Sequence, residues 1–595
     1  MASEAGDISS RFWRAISLCT LLVLFVEFML RGSPGMIPVT GETTISPTVP
    51  ETVPITVKIT NPEVKTAIAR VVESNETDSL DENKLAFSAC FQGQHISVWA
   101  PGYYIKSLTC SGASPNEYTI SLDPLNAADN PTYTWLDAEA RYSSIFNCAS
   151  CHSGSSPGRS EYLEWDVDGH SRVFVNPYFR TTYLGTDIYG SLSQQAVWSI
   201  APDGRRFRLP PDLTKPDFGP GYKSDYPNEN GNCVFCHVPA AVSAVQQGAN
   251  LSTFMEGTWG YRSNVVTEGV TCDVCHKVTG VLLDNNKLPY VDHLGVQSMS
   301  FVRPSPGLQF LSGPGAHLST FNSSFNRTCA PIFSESEFCA PCHYGNFSGI
   351  EIYASYKEWL NSSYSNKENQ KYRSCQDCHM ASAEPVGNTL PIERSACAEE
   401  NKTFRDFSHN MMKYGTDPDN PARKIPLMVK EAATVTIDQT AFGGGQVTFR
   451  VTVTNSGAGH KFPTDSPLRH LILLVEVKDM NNNPLTQISG PTIPIWGARD
   501  YAGYPGEIYA HILKDRDTNQ MPSIAYWNPV ELGSDTRLAP GQAVQKEYSF
   551  IAPANGSAVI TARLIYRNVF ISIADQKKWP IMDIEAAKAS EVAVP

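Results

Sequence analysis

Five short segments of the sequence place two cysteines three positions apart and a histidine directly after the second cysteine. In a chain of 595 residues with 15 Cys and 13 His, composition alone would give about 0.01 copies of this pattern. The five segments are Cys148/Cys151/His152, Cys233/Cys236/His237, Cys272/Cys275/His276, Cys339/Cys342/His343 and Cys375/Cys378/His379. The repetition indicates one chemistry carried out at five places.

The spacing Cys-x-x-Cys-His is the attachment pattern of c-type haem. The two thiols form thioethers with the haem vinyl groups, and the adjacent imidazole becomes the proximal iron ligand. A zinc ribbon needs paired Cys-x-x-Cys units but no histidine after each one, and a thioredoxin-like redox pair needs a single motif near a βαβ pattern. The sequence therefore predicts five covalently attached haem c groups, held by the fifteen motif residues.

The overall charge limits the classes of partner. The formal net charge is −13, which disfavours binding to nucleic acid. A multihaem chain of this charge is expected to exchange electrons with redox partner proteins or extracellular electron acceptors.

The N-terminal segment, residues 1–34, is predicted to be a signal peptide or a membrane anchor. Arg11 and Arg14 precede an apolar run from Ala15 to Leu30, which Glu27 interrupts. The run is slightly long for a secretory segment and short for a membrane span, so both interpretations stay open. In either case the rest of the chain is expected to be exported, at the cell surface or outside the cell.

Four of the five cysteines outside the motifs fit an oxidising compartment, and the fifth, Cys19, lies in the N-terminal apolar run. Cys90, Cys110, Cys329 and Cys397 form an even set, which allows three disulfide pairings. Proximity in sequence favours Cys90 with Cys110 and Cys329 with Cys397. Four buried thiols are the alternative.

The fold class predicted is multidomain, with a coil-rich, haem-packed cytochrome core and a C-terminal antiparallel β-sandwich. Short helices are expected in the core because porphyrins would supply much of its apolar volume, and one helix is predicted in the segment that contains Tyr353, Tyr356, Trp359 and Leu360. The expected divisions are a Thr/Pro-rich stalk at 35–60, a mostly β N-terminal region at 61–140, the pentahaem domain at 141–425 and the sandwich at 426–595.

Distal iron ligands have to come from histidines outside the motifs. Five haems with bis-histidine ligation need five such residues, and eight are present: His95, His170, His293, His317, His409, His460, His470 and His511. The supply is sufficient.

Several segments together resemble the exported multihaem cytochromes related to cytochrome c-554. They are "YLEWDVDGHSRVFVNPYF", "EGVTCDVCHKV", "SGPGAH" before "CAPCHYG", "YKEWLNSSY" before "CQDCHM", and "GAGHKFPTDSPLRH". The resemblance covers about residues 140–570 and implies that His170, His317, His409 and His460 are distal ligands.

The fifth distal candidate is His293, which lies between the third and fourth motifs. The chain departs from the family pattern in two places. Met411 and Met412 follow His409 where glycines are usual, which leaves a methionine ligand open, and Asp465 replaces the last glycine of the "GHKFPTG" pattern.

Three functions are compatible with these features. The first is electron transfer through closely spaced bis-histidine haems, without catalysis. The short spacing of the second and third motifs, and of the fourth and fifth, predicts two haem pairs. The second is a reductase of nitrogen or sulfur oxyanions, which needs one iron with an open distal position. The third is a subunit that self-assembles into an extracellular filament.

Mass spectrometry of the denatured, fully matured protein is expected to show five covalent haem additions. The reason is that each motif supplies two thiols for thioether bonds. A count below five would contradict the assignment of all five motifs.

Overall fold

The computed structural model describes residues 54–74, 76–81, 84–111, 116–125, 129–139, 147–153, 161–242, 249–255, 264–304, 310–313, 326–381, 408–554 and 556–595. The predicted signal or anchor at 1–34 and most of the predicted stalk lie outside these ranges. Within them, no helix is both long enough and apolar enough to span a membrane. The residues that the structure describes belong to one compact unit.

Strands outnumber helices, and the helices are short. The strands are β1 Ile55–Ile59, β2 Ile68–Val71, β3 Thr77–Ser79, β4 Lys84–Phe87, β5 His95–Trp99, β6 Lys106–Thr109, β7 Glu117–Ile120, β8 Trp198–Ile200, β9 Arg206–Arg208, β10 Val278–Val281, β11 Met299–Phe301, β12 Phe310–Gly313, β13 Asn326–Cys329, β14 Gly345–Phe347, β15 Ile350–Tyr353, β16 Tyr414–Asp417, β17 Asn420–Pro426, β18 Ala433–Gly443, β19 Gln446–Asn455, β20 His470–Asp479, β21 Gln487–Ser489, β22 Gly506–Asp515, β23 Val530–Asp535, β24 Ala543–Ile551, β25 Ala558–Arg567 and β26 Asp583–Ala593. The α-helices are α1 Cys148–His152, α2 Glu161–Val167, α3 Gly169–Arg172, α4 Pro177–Leu184, α5 Tyr222–Asp225, α6 Val234–His237, α7 Leu251–Met255, α8 Cys272–Cys275, α9 Ala340–His343, α10 Ser355–Leu360, α11 Cys375–His379, α12 Met428–Glu431 and α13 Ile571–Lys577. Single 3₁₀ turns lie at Pro239–Ala241, Gly295–Ser298, Pro331–Ser334, Ser336–Phe338 and Arg499–Tyr501.

The C-terminal region consists of two antiparallel sheets on a shared apolar core. One sheet has the order β18-β19-β24-β21, and the other has the order β23-β22-β20-β25-β26. Val451 of β19, Leu473 of β20 and Ile560 of β25 are all fully buried in the core between the sheets. The prediction of a C-terminal antiparallel region rich in strands is confirmed.

The sequence patterns of two strands follow from their positions. In β19 the residues Val447, Phe449, Val451 and Val453 are buried, and the residues between them are partly exposed, because one face of the strand meets the core. In β20 the apolar run is continuous. Its odd-numbered residues face the shared core, while Ile472 and Leu474 pack in a second core with helix α13, so both faces are covered.

The N-terminal part contains two small sheets with an apolar core of their own. Sheets β4-β1-β7 and β3-β2-β5-β6 share an apolar core that includes Val57 and Ile96. The predicted disulfide between Cys90 and Cys110 is confirmed, with Cα atoms 6.0 Å apart. Cys329 is also disulfide-bonded, whereas its expected partner Cys397 lies outside the described ranges, so that pairing stays a prediction.

The middle of the chain contains short helices, single turns and two-stranded ribbons. This sparse structure agrees with the expected coil-rich core. One local prediction was wrong: Tyr353 lies in β15 and not in a helix, because it pairs with Gly345 in an antiparallel ribbon, and helix α10 begins two residues later. Tyr356 and Trp359 are buried on that helix, as their spacing predicts.

Leu473→Ala is expected to lower the free energy of unfolding by about 2–5 kcal/mol, because it leaves a cavity in the core between the two sheets. Chemical denaturation followed by circular dichroism measures the loss. The matched control is Leu532→Ala on β23, where the leucine is 49% exposed and the expected change is within about 0.5 kcal/mol. Equal losses in the two variants would contradict the shared core.

Candidate functional site

Each of the five Cys-x-x-Cys-His segments folds as one helical turn. The turns are α1, α6, α8, α9 and α11, with Cys233 and Cys339 at the N-caps of α6 and α9 and His276 at the C-cap of α8. Residues three and four positions apart lie on the same face of a helix. In the second to fifth motifs the turn therefore places the two thiols and the imidazole on one side, as attachment to one flat group requires.

The first motif is described less completely than the other four. Nine of the ten motif cysteines have described side chains, and all nine are free thiols available for thioether bonds. Cys151 is the exception: its backbone belongs to α1, but its side chain lies outside the described part of the chain. The role of Cys151 in haem attachment therefore stays a prediction from the motif.

Polar caps fix two of these turns. Thr271 accepts a hydrogen bond from the backbone N–H of Val274 at the start of α8. Ser374 and Asp377 form a reciprocal capping box at the start of α11. Such caps satisfy backbone N–H groups that a short helix leaves without partners, so the orientation of the third and fifth motifs is well defined.

Thiols of different motifs lie next to one another. Cys272 lies close to Cys148, Cys342 to Cys236 and Cys339 to Cys375, and in each case the neighbouring thiol raises the pKa of the first cysteine. Motif one therefore adjoins motif three, and motif four adjoins both motif two and motif five. The last contact agrees with the short spacing in the sequence, but the neighbour of the second motif is the fourth rather than the third, because tertiary folding brings them together.

Three motif histidines face the ring of a distal candidate. The ring centres are 6.1 Å apart for His343 and His170, 6.4 Å for His276 and His409, and 6.1 Å for His379 and His460. The planes of these pairs are inclined by 59°, 27° and 17°, respectively. In each pair one histidine belongs to a motif and the other to a distant segment.

These spacings fit one metal ion between two imidazoles. Metal–nitrogen bonds of about 2.0 Å, with each ring centre about 1.1 Å beyond its nitrogen, give ring centres about 6.2 Å apart. Two rings in direct contact by stacking are much closer, as the 3.9 Å between Phe179 and His237 illustrates. The three pairs are thus suited to the two axial ligands of a haem iron.

Hydrogen bonds leave the correct nitrogen available in two of the pairs. His170 and His343 each donate Nδ1–H to a carboxylate, at 2.7 Å to Asp168 and 3.1 Å to Asp465. His379 and His460 donate to the backbone carbonyls of Met411 and Lys461, at 3.0 and 2.9 Å respectively. Because a carboxylate or carbonyl oxygen only accepts, Nδ1 carries a proton, and Nε2 is the nitrogen left to bind a metal.

The pKa values reflect these two kinds of acceptor. Burial lowers the pKa of His343, but the hydrogen bond and charge of Asp465 together with the nearby motif thiols outweigh burial and raise it to about 9, so a metal at Nε2 has to displace a proton at neutral pH. Burial and the neighbouring His460 lower the pKa of His379 to about 4. Asp168 and Asp465 were not predicted as site residues; the only signal for Asp465 was its occurrence where the family pattern has glycine.

The loop that carries His460 is bound to the helix between the fourth and fifth motifs. Glu358 of α10 accepts hydrogen bonds from the backbone N–H of Lys461, at 3.2 Å, and from Thr464 Oγ1, at 2.6 Å. Gly457 permits the close approach of the loop to the backbone, since a Cβ there would lie 2.0 Å from the carbonyl oxygen of Glu431. The sheet region thereby presents His460 to His379 rather than to its own core.

The first and second motif histidines have other described neighbours. His152 is exposed and donates Nδ1–H to Glu161 Oε2 at 3.0 Å. His237 stacks on Phe179, and burial lowers its pKa to about 4. Distal ligands for these two motifs stay predictions.

The roles of the two remaining distal candidates, His317 and His293, stay predictions. His317 lies outside the described ranges. His293 is exposed and bonded to Asp292, on a loop where Gly295 packs against the second motif at Phe235. The ring of His293 lies against Tyr290 and not against a motif histidine that the structure describes, so the role of His293 as a ligand stays a prediction.

The three other histidines and the two methionines have local roles. His470 is buried in β20 and stacks on Phe570 at 4.2 Å, and His511 is buried in β22. His95 donates to Glu73. Met411 and Met412 act through backbone atoms, as an acceptor from His379 and a donor to Asp168, while His409 beside them faces His276.

Comparisons with known proteins give weak similarities only. No family model and no curated protein matches the chain. The chain is similar to the solved structure of a penta-heme cytochrome c552 from Thermochromatium tepidum, with 17% identity and a TM-score of 0.46 over 75% of this chain and 97% of that chain. It is also similar to the solved structure of a human F-spondin reeler domain, with 10% identity and a TM-score of 0.12. That match covers 27% of this chain and 85% of the reeler domain chain. Function therefore has to be inferred from the chain's own residues.

His460→Ala is expected to convert one haem to high spin, or to a replacement ligand with a changed potential, because the ring facing His379 is removed. Electron paramagnetic resonance of the oxidised protein measures the change, and the other four haem signals should stay as in the wild type. The matched control is His95→Ala, whose ring contacts Glu73 and which should leave all five signals unchanged. Five unchanged signals in His460→Ala would show that His460 is only a loop residue.

Proposed function

We propose that the protein is a pentahaem c-type cytochrome that transfers electrons through a chain of haems with two histidine ligands. The observation that carries the proposal is the spacing of the three histidine pairs, which suits one iron between each pair. The five motifs provide the covalent attachment sites, and the fifteen motif residues are the proposed binding set.

Bound haem would supply a one-electron iron couple at each site. The chain's residues determine how the sites are connected. The thiol contacts link motif one to three, two to four and four to five. Cys342 of the fourth motif also lies close enough to Cys275 of the third to raise the pKa of the Cys275 thiol. Support for a continuous path comes from this arrangement, in which the fourth motif adjoins three others.

The reductase alternative requires one iron with an open distal position. Three of the five motif histidines already face a second histidine, and both rings of the His170/His343 pair are held in position by carboxylates. These contacts favour electron transfer over catalysis at those three motifs. The first and second motifs are where a reductase would have to place its open iron.

We further propose that the protein works outside the cytoplasm, at the cell surface or beyond it. The disulfide between Cys90 and Cys110 supports an oxidising compartment. Redox proteins or extracellular acceptors are the proposed partners. Membrane anchoring by the N-terminal segment and assembly into filaments are further hypotheses.

Reductive titration of the purified protein should consume five electrons, and carbon monoxide should not bind rapidly to the reduced form. The electron count follows from five one-electron irons, and the absence of rapid carbon monoxide binding follows if every iron has two protein ligands. Optical spectroscopy under anaerobic conditions measures both. Rapid carbon monoxide binding, together with turnover of nitrite, hydroxylamine or sulfite, would favour the reductase.

A further inference from the structure

The histidine pairs differ in the groups that accept their Nδ1–H protons. Both rings of the His170/His343 pair donate to carboxylates, whereas both rings of the His379/His460 pair donate to backbone carbonyls. The first pair therefore has two negative charges beside its ligands, one on each side. The second pair has none in those positions.

The two carboxylates are held in place by backbone donors. Asp168 Oδ1 also accepts the N–H of His170 at 2.9 Å, and its Oδ2 accepts the N–H of Met412 at 3.3 Å. Asp465 Oδ1 accepts the N–H groups of Ala354 and Ser355 at 3.2 and 3.1 Å. These donors fix the orientation of each carboxylate toward the imidazole that it binds.

Asp465 occupies a backbone conformation that favours glycine. Its φ angle is 58°, in the left-handed region, where a non-glycine residue is uncommon and strained. Aspartate and asparagine are among the side chains best tolerated there. The three hydrogen bonds of the Asp465 carboxylate offset the strain of this backbone conformation. This arrangement indicates a specific role of Asp465 toward His343.

We propose that Asp168 and Asp465 are positioning residues that lower the reduction potential of the haem ligated by His170 and His343 below that of the haem ligated by His379 and His460. The proposal rests on the proposed function. A carboxylate that accepts the outer N–H of an imidazole makes the metal-binding nitrogen more basic. Greater basicity and nearby negative charge stabilise iron(III) over iron(II), and the potential falls.

The position of the His170/His343 pair among the motifs determines how a lower potential would affect electron transfer. His343 belongs to the fourth motif, whose thiols adjoin both the second and the fifth motifs. With haem bound, an electron that follows these thiol contacts between the second and fifth motifs would pass the fourth site, and each transfer would reduce one iron while it oxidised the neighbour. The two carboxylates would make entry to the fourth site the unfavourable step, so electrons accumulate on either side of it.

The test is spectropotentiometric titration of the mature protein with the single variants Asp168→Asn and Asp465→Asn and the double variant. Asparagine keeps an oxygen that can accept from the ring and tolerates both backbone positions, but it removes the charge. In each single variant, the equilibrium constant for reduction of one of the five haems should increase at least tenfold. This change raises the reduction potential of that haem by about 59 mV for one electron. The same component should rise in both, and further in the double variant.

The control is Asp438→Asn on β18, which makes the same change in net charge and contacts Thr452 instead of a histidine. Haem count and low-spin signals are checked in every variant. If Asp465→Asn does not mature, Asp465→Gly replaces it, since glycine adopts the same φ without strain. No rise beyond the control, or a rise in different components for the two aspartates, would overturn the proposal; a wild-type protein without haem would instead refute the proposed function.

Discussion

The constraint on which the rest of the structure depends is the distance between two imidazole rings that share one metal ion. Each pair has to keep its ring centres near 6 Å apart with the Nε2 atoms facing each other. Segments far apart in the sequence therefore have to be held in fixed positions. The short capped turns, the loop bound to Glu358 and the rigid sheets behind it all contribute to this requirement.

The sheet region is part of the proposed site and not a separate attachment. Its loop provides His460 for the fifth motif and Asp465 for the fourth. Glu358, which binds this loop, also forms a buried ion pair with Arg537 at 2.8 Å. Because breaking one partner of a buried pair leaves an uncompensated charge, the contact resists displacement of the loop. Two neighbouring motifs thus depend on one loop outside the motif region.

Local patterns in the sequence predicted the local parts of this structure. The short helices of the core, the strand-rich C-terminal region and the disulfide between Cys90 and Cys110 depend largely on residues close together in the chain. The histidine pairs depend on tertiary contacts, and only a resemblance to known cytochromes pointed to His170, His409 and His460. Tyr353 was assigned to the wrong element, because its pairing with Gly345 overrides the helical spacing of the residues around it. The roles of Asp168 and Asp465 could not be predicted, since each depends on a ring orientation that folding creates.

Anomalous diffraction at the iron edge from crystals of the mature protein tests the central claim most directly. Five iron peaks are expected, three of which lie midway between His170 and His343, between His276 and His409, and between His379 and His460. A peak next to one of those motif histidines but with a different residue on its far side would contradict the ligand pairing. Fewer than five peaks in fully matured protein would contradict the pentahaem assignment itself.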